Sequence, residues 1–211
     1  MRRTAPPASD SPERIVPEYS SVNPLVRRIF FDRLRQACSV AQLRPTDIAL
    51  DLGTGAGTLV SILDGKIPEF IGVDFHRMLN QVGTKIGKSK SAVHWIRSDA
   101  AHLPLRDGAV SVIFALDILE HVPKLEETLV QIGRVLGQGG RLVVSAPTES
   151  FLYRLARFVV KPGKGPGAGR HVQTAYSIVE AATKLFSLTT AVRIKFLVTL
   201  FMIFRFDKRE P

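Results

Sequence analysis

Short apolar runs alternate with longer stretches of helical periodicity over most of this chain. The runs rich in β-branched and other apolar residues are 48–52, 70–73, 92–96, 110–116 and 141–145. Between the last two runs, apolar residues recur at spacings of three and four over 124–136, which predicts a helix stopped by Gly137, Gly139 and Gly140. Strands that alternate with helices in this way predict an α/β fold with a mostly parallel sheet covered on both faces.

The N-terminal part of the chain departs from this alternation. Prolines crowd residues 1–24, which predicts a flexible arm. A helix over 25–37 follows, with Leu25, Ile29 and Leu34 near its apolar face and its arginines elsewhere.

The C-terminal part departs from it as well. Helices are predicted over 151–161 and 174–187, on either side of a glycine-proline loop. Two apolar runs, 191–198 and 200–206, then predict an antiparallel pair at the sheet edge. We expect a single domain over 25–211.

Length and composition are those of one globular domain without disulfides. The chain has 211 residues, 45% of them hydrophobic and 23% charged, which excludes wholesale disorder and two ordinary domains. The single cysteine, Cys38, excludes a disulfide framework and a cysteine-based zinc site. No apolar run follows the N-terminal arginines, and the most apolar segment, 196–204, is far shorter than the roughly 20 residues of a membrane-spanning helix. We therefore expect a cytoplasmic protein.

Positive charge is concentrated in the last third of the chain. Residues 151–211 contribute +8 of the formal net charge of +10, from eleven Lys or Arg and three Asp or Glu. Such an excess predicts an anionic partner, which could be a lipid surface, a phosphate-bearing substrate or nucleic acid. A basic face that serves only solubility explains the excess equally well.

A glycine-rich loop after the first apolar run carries the most specific chemical signal. The segment 51–57 reads DLGTGAG and precedes a helical stretch. Glycines allow a tight turn and close approach to a ligand, and the following helix offers unpaired N–H groups. These features predict a nucleotide-like ligand held by Gly53, Thr54, Gly55 and Gly57.

Asp51 decides between an anionic and a cationic ligand. Beside a pyrophosphate this carboxylate would place like charges together, at a cost of about 1 to 4 kcal/mol at 4 Å. A cationic ligand reverses the sign, and S-adenosyl-L-methionine needs an acceptor for its ammonium group. The glycine spacing is also GxGxG and not the GxGxxG of a dinucleotide fingerprint, so a nicotinamide cofactor is disfavoured.

Further candidate contacts follow the later apolar runs. Asp74 comes 23 residues after the first acid, near the offset at which an acid reaches ribose hydroxyls. Phe75 could lie against the adenine face, and Asp99 or its neighbour Ala100 could meet the adenine edge. Leu116, at the end of the fourth run, completes the predicted cofactor contacts.

These motifs resemble those of class I S-adenosylmethionine-dependent methyltransferases of the type 11, small-molecule group. DLGTGAG is similar to the first motif of that family, GVD to its ribose-binding acid, and SDAAHLPLRDGAVSVIFALDILEHVP to its third and fourth strands. VLGQGGRLVVSAP is similar to the helix that leads into the fifth strand. The resemblance covers roughly residues 25–206, and it is specific for the superfamily but not for a substrate.

The resemblance implies a Rossmann-like class I methyltransferase fold. Its seven-stranded, mostly parallel sheet would end in an antiparallel hairpin. The N-terminal arm and an insertion at about 148–187, which contains the basic stretch 151–171, would form a substrate cap. Ser111 departs from the family, which often has aspartate there, and we interpret this position as structural.

Candidates for acid–base chemistry lie just beyond the fourth run. His121 could act as base with Glu120 or Asp117 orienting it, and His171 is a further catalytic candidate. The DxxEH spacing together with His171 also resembles the metal site of some methyltransferases that act on RNA 3′ ends or quinone precursors. Because the EH pair is widespread in this group without metal, we assign no metal ligand.

Together these signals predict an enzyme that transfers a methyl group from S-adenosyl-L-methionine to an oxygen, nitrogen or carbon of a small-molecule or lipid-like acceptor. The cationic stripe of helix 151–161 could rest on an anionic membrane, although an ordinary cap helix has the same pattern. The alternative is an RNA-modifying or nucleic-acid-binding protein of this fold, which the basic last third favours. The lack of an (N/D)PP(Y/F) motif and the small number of aromatics interleaved with the basic residues disfavour it.

Overall fold

The protein is described by a computed structural model over residues 24–147, 172–196 and 198–210. Helices in these residues are α1 (Pro24–Ala41), α2 (Thr58–Leu63), α3 (Leu79–Ile86), α4 (Leu125–Val135) and α5 (Ala175–Thr183). The strands are β1 (Ile48–Leu52), β2 (Glu69–Asp74), β3 (Ala92–Arg97), β4 (Val110–Leu116), β5 (Leu136–Pro147), β6 (Phe186–Phe196) and β7 (Val198–Lys208). The predicted apolar runs before residue 150 and the run 200–206 therefore lie in strands, whereas the run 191–198 extends from β6 to the first residue of β7.

One sheet joins these strands in the order β3-β2-β1-β4-β5-β7-β6. The first five strands in this order are parallel, and β7 runs antiparallel to both β5 and β6. This confirms the predicted mostly parallel sheet with an antiparallel terminal hairpin. The strand order reverses between β1 and β4, and such a reversal opens a crevice at the carboxyl ends of the strands.

Helices cover both faces of the sheet and create two apolar cores. One core packs α4 and α5 against the sheet, with Leu129, Ile132 and Ile178 among its fully buried residues. The other packs α1 and α2 against the opposite face, with Ala37 and Val60 among its members. Strands buried on both sides need apolar residues at nearly every position, which explains the continuous apolar runs in the sequence.

The structure moves two predicted boundaries. The predicted helix ends at Val135, directly before β5, and Gly137, Gly139 and Gly140 lie within β5 where its pairing with β4 jumps from Leu136 to Arg141. Leu136 is fully buried and pairs with Val110 of β4, so the chain passes directly from helix to strand. The helix predicted over 174–187 ends at Thr183, and strand β6 begins at Phe186.

The predicted apolar face of α1 is wrong at two residues. Arg33 is only 3% exposed, although its charge places it on the polar side in a sequence-based prediction, whereas Leu25 is 42% exposed. Arg33 is buried because it ion-pairs with Asp117 at the carboxyl edge of the sheet. A buried charge is tolerated where an opposite charge meets it.

A second buried arginine joins α1 to the opposite end of the sheet. Arg141 of β5 donates to the carbonyls of Ala41 and Gln42, at 2.9 and 2.5 Å, and pairs with Asp47 at 2.5 Å. The hydroxyl of Ser111 donates to Asp47 at 2.9 Å and accepts from the N–H of Ile48 at 3.0 Å. These bonds fix the start of β1.

Several predictions fall outside the described residues. They are the N-terminal arm, the helix over 151–161, the glycine-proline loop, His171 and most of the cap insertion at 148–187. Within the described ranges, none of the helices has the length and apolarity that crossing a membrane requires.

Candidate cofactor and acceptor site

Three glycines with positive φ shape the loop between β1 and α2. Gly53, Gly55 and Gly57 have φ of 76°, 54° and 73°. A Cβ on Gly53 would lie 2.9 Å from the side chain of Ile118, and one on Gly57 would lie 2.5 Å from Ile86 Cδ1. The loop therefore needs glycine for its backbone conformation and for its close packing.

Hydrogen bonds attach this loop to the end of β2. The N–H groups of Gly53 and Thr54 donate to the carbonyl of Val73, at 2.8 and 3.1 Å. The N–H of Gly55 donates to Asp74 Oδ2 at 2.8 Å. Two of the predicted cofactor-binding elements, the glycine loop and the second acid, are thus in direct contact.

Asp51 lies near the end of β1 and is buried. The residue is 4% exposed. Burial raises the pKa of its carboxyl to about 7; the Thr54 hydroxyl lowers it, the charge of Asp74 raises it, and Arg33 lowers it least. A carboxylate that has lost its hydration gains strongly when a cation comes close to it. The chemistry of this position therefore suits a cationic group.

Asp74 and Phe75 end β2 beside the loop. Asp74 Oδ1 accepts from the N–H of His76 at 3.2 Å, while its other oxygen accepts from Gly55. Phe75 is 71% exposed, and the guanidinium of Arg97 lies 6.0 Å from its ring centroid. An aromatic face exposed next to an acid is available to a planar ligand.

His76 lies across the loop from Asp74. Its Nε2 is 3.0 Å from the carbonyl oxygen of Gly55, and its Nδ1 accepts from the N–H of Met78 at 3.1 Å. The ring therefore lies against the glycine loop, Asp74 at the end of β2 and Met78 at the start of α3.

The remaining predicted cofactor residues lie along the same edge. Asp99 Oδ1 accepts from the N–H of Ala101 at 3.0 Å, and its side chain is 58% exposed. Ala100 is partly buried against the core that contains α4, and Leu116 is partly buried against the core that contains α1. Since β3, β2, β1 and β4 are consecutive in the sheet, their carboxyl ends form one continuous row.

An ion pair lies at the tip of β4. Asp117 has a φ of 56°, and its N–H donates to the carbonyl of Ser145 at 3.1 Å. The Ser145 hydroxyl donates to Asp117 Oδ1 at 2.7 Å, and Asp117 Oδ2 pairs with Arg33. The guanidinium of Arg33 also lies 5.3 and 5.1 Å from the rings of Phe30 and Phe201. Asp117 is thus held in a left-handed conformation by bonds to β5 and α1.

Glu120 and His121 lie in a 3-10 turn (Leu119–His121) but in different environments. Glu120 is 2% exposed, and its Oε2 has no hydrogen-bond partner among the described residues. Burial raises the pKa of its carboxyl to about 7, while the charge of Arg33 lowers it. His121 is exposed. Asp117 is engaged by Arg33 and Ser145, so the described contacts give no support to the idea that it orients His121.

Three residues of this edge were missed in the sequence analysis: Arg33, His76 and Ser145. A signal existed for Arg33, because it stands three residues after Phe30 and beside Leu34, on the side of the helix that carries apolar residues. Ser145 and His76 carry no such signal, since a serine in a buried strand and a histidine after a strand are both ordinary.

Metal binding finds no support in the described part of the chain. There, no group of three or more His, Cys, Asp or Glu residues is arranged to hold a metal ion. His171, the possible fourth ligand beside the three residues of the DxxEH pattern, lies outside the described residues.

Comparison with known proteins identifies the class and then the family. The fold is that of class I methyltransferases: the N-methyltransferase NodS from Bradyrhizobium japonicum, solved with S-adenosyl-L-homocysteine, superimposes with a TM-score of 0.73 at 16% identity, over 94% of this chain and 97% of NodS. Residues 50–144 match the family model described as "Methyltransferase domain", and this segment belongs to that family. The predicted family and fold are confirmed.

Curated relatives match this chain over only part of their own length. A demethylmenaquinone methyltransferase from Lactobacillus johnsonii is 31% identical over 156 residues, which are 66% of this chain and 61% of that protein. An uncharacterized 37.1 kDa transposon protein from Streptomyces fradiae is 33% identical over 107 residues, 49% of this chain and 31% of its own length. The chain thus spans between about a third and three fifths of these two relatives.

Proposed function

We propose that this chain binds S-adenosyl-L-methionine and transfers its methyl group to a small-molecule acceptor. The observation that carries the proposal is the buried carboxylate of Asp51 at the end of β1, directly before a loop of three positive-φ glycines. The match to the methyltransferase-domain family over residues 50–144 supports it. The demethylmenaquinone methyltransferase among the relatives supports an acceptor that is a small molecule.

The residues at this edge fit the proposed cofactor. Asp51 would accept from the ammonium group, Asp74 from the ribose hydroxyls, and Phe75 would cover the adenine. Asp99, Ala100 and Leu116, together with the loop residues Gly53, Thr54, Gly55 and Gly57, would line the rest of the site. The cofactor supplies an electrophilic methyl group on a sulfonium, and the chain supplies the orientation and the exclusion of water.

Glu120 is the residue we assign to take a proton from the acceptor. Its carboxylate oxygen is buried and unpartnered within the described structure, and its pKa of about 7 suits a base at neutral pH. A base is required when the attacking atom is a hydroxyl oxygen or a protonated amine, so we propose a protic acceptor. His121 and His171 are the other candidates for this role.

Calorimetric titration with S-adenosyl-L-homocysteine tests the cofactor site. The wild-type protein should bind it, and Asp51→Asn should weaken binding at least tenfold because the ammonium loses its charged acceptor. Asp107→Asn is the matched control, since Asp107 is 82% exposed and pairs only with Arg134 among the described residues. Absence of binding to the wild-type protein would end the proposal.

Transfer of a labelled methyl group tests the acceptor side. Extract fractions, lipids and RNA are offered separately, and the label should enter a small molecule or lipid. With that acceptor, Glu120→Gln should lower turnover by roughly 100-fold or more while affinity for S-adenosyl-L-homocysteine is unchanged. Wild-type turnover in Glu120→Gln, with a loss in His121→Asn instead, would transfer the role to His121. Label in RNA alone would favour the nucleic-acid alternative.

A further inference from the structure

His76 makes more contacts with the cofactor loop than a solvent-facing histidine would. Its side chain is 19% exposed, and both ring nitrogens are within hydrogen-bond distance of backbone atoms. None of these contacts follows from the glycine motif, because the ring reaches back 21 residues along the chain to Gly55.

The partners of the ring define which nitrogen carries the proton. The N–H of Met78 can only donate, so Nδ1 is the acceptor of that bond at 3.1 Å. In the neutral ring the proton is then on Nε2, which donates it to the carbonyl of Gly55 at 3.0 Å. The two bonds support each other, since each requires the same tautomer.

The central residue of the loop, Gly55, is therefore held through both of its backbone polar groups. The N–H of Gly55 donates to Asp74 Oδ2, and its carbonyl accepts from His76. The backbone N–H of His76 in turn donates to the other oxygen of Asp74 at 3.2 Å. Glycine with a φ of 54° has wide conformational freedom, and these three bonds restrict it before any ligand arrives.

We propose that His76 is a positioning residue that holds Gly55 and Asp74 in the geometry that binds the adenosyl part of the cofactor. The proposal rests on the proposed function. We call the bond from His76 Nε2 to the carbonyl of Gly55 the clamp. A site that is already ordered loses less conformational entropy on binding, so removal of the clamp should weaken affinity for the cofactor without removing a ligand contact.

Two substitutions separate the clamp from the turn that it also stabilises. Asn at position 76 keeps a short acceptor that can bond the N–H of Met78, as in an Asx turn, but it cannot reach Gly55. Gln at position 76 presents an amide N–H at about the distance of Nε2 and can still donate to Gly55. His94→Asn is the control, because His94 is an exposed histidine of β3 whose side chain lies 3.4 Å from Glu69, outside the site.

The test is calorimetric titration of the full chain with S-adenosyl-L-homocysteine and with 5′-methylthioadenosine, which lacks the amino-acid part. His76→Asn should weaken both ligands by the same factor, about five- to tenfold, whereas His76→Gln and His94→Asn should stay within about threefold of wild type. Asp51→Asn should weaken only S-adenosyl-L-homocysteine. Thermal unfolding of the ligand-free variants checks that all are folded.

The outcomes distinguish the inference from the proposed function. If wild type binds both ligands and His76→Asn binds them equally well, the clamp is overturned and the function stands. An equal loss in His76→Asn and His76→Gln also overturns it, because ring packing rather than the bond to Gly55 would then be responsible. If wild type binds neither ligand, the function and the inference fall together.

Discussion

At the scale of single residues, two carboxyl groups at one edge of the sheet are buried where ionisation is costly. Burial raises the pKa values of Asp51 and Glu120 to about 7. Of the described residues, Arg33 is the buried cation that lowers both values, and it already pairs with Asp117. The described residues at this edge therefore carry more acid than base. A cationic ligand corrects this imbalance, so the ligand-free protein bears a stability cost that the ligand removes.

The first prediction concerns this cost. The pKa of Asp51 is about 7 in the folded protein. In the unfolded chain it is that of an ordinary aspartate, about 3.9, so the folded protein binds more protons between these values. The free energy of unfolding should fall as pH rises through this window. Because asparagine does not titrate, the Asp51→Asn variant should not show this decrease in the free energy of unfolding. It should be more stable than wild type at pH 8, by roughly 1 to 3 kcal/mol. Urea unfolding at pH 5 and pH 8 measures the difference, and a variant less stable than wild type at pH 8 would contradict it.

The second prediction separates backbone strain from packing in the glycine loop. Gly57 and Gly139 both have positive φ, 73° and 63°, but a Cβ would collide with Ile86 and Val82 at Gly57, whereas nothing lies within 4 Å at Gly139. Gly139→Ala should cost about 1 kcal/mol of unfolding free energy, and Gly57→Ala about 1 to 3 kcal/mol more. Equal costs in urea unfolding would show that the close approach is relieved by small shifts.

At the scale of elements, two buried arginines attach α1 to the two ends of the sheet. Arg33 pairs with Asp117 at the carboxyl edge, and Arg141 joins Asp47 and the end of α1 at the opposite edge. Burial would raise the pKa of Asp47, but bonds from the Arg44 N–H, Arg141 and Ser111 lower it. The helix that carries Arg33 is thus placed by contacts far from the candidate site.

The third prediction tests the Arg141 anchor. Asp47→Asn should lower the free energy of unfolding by about 3 kcal/mol, because it leaves the guanidinium of Arg141 buried with a weaker partner. The exposed Arg134–Asp107 pair provides the comparison, and Asp107→Asn should cost less than about 1 kcal/mol. The contribution of Asp47 should also be lost as pH falls through its lowered pKa, so the two proteins should converge in acid. Urea unfolding at pH 7 and pH 3 provides both measurements.

At the scale of the whole molecule, an acidic site lies in a basic protein. The chain has a net charge of +10, yet the acids at the strand ends surround the position assigned to a cationic cofactor. The electrostatic field of the net positive charge favours anions at the surface, whereas the field of the acids at the strand ends favours cations inside the crevice. Burial makes the local field the stronger of the two, because buried charges are screened less.

The fourth prediction follows from this local field. A cationic ligand binds the ionised form of Asp51, and half of that group is protonated near pH 7 in the free protein. Affinity for S-adenosyl-L-methionine should therefore rise roughly 20-fold between pH 5.5 and pH 7.5, with proton release on binding. Asp51→Asn should remove most of this rise. Calorimetry in two buffers of different ionisation enthalpy measures affinity and proton release together, and a flat profile in wild type would contradict the prediction.

The strands, the glycine loop and the acids that follow the strands could all be predicted from the amino-acid sequence. These features depend on local periodicity and on short spacings, which the chain carries regardless of how it folds. The periodicity also placed the terminal hairpin correctly, but it misplaced the start of β5, because Leu136 enters the sheet through a pairing with Val110 that lies 26 positions away.

The set of polar groups that are buried together is visible only in the folded molecule. Arg33 lies 112 positions from Ser145, and His76 reaches back to Gly55, so no local pattern could place them at one edge. Glu120 and His121 are neighbours in the sequence, yet one is buried and the other exposed, since a 3-10 turn directs them differently. Burial sets the ionisation of these acids, and burial is a property of the packed molecule rather than of the residue.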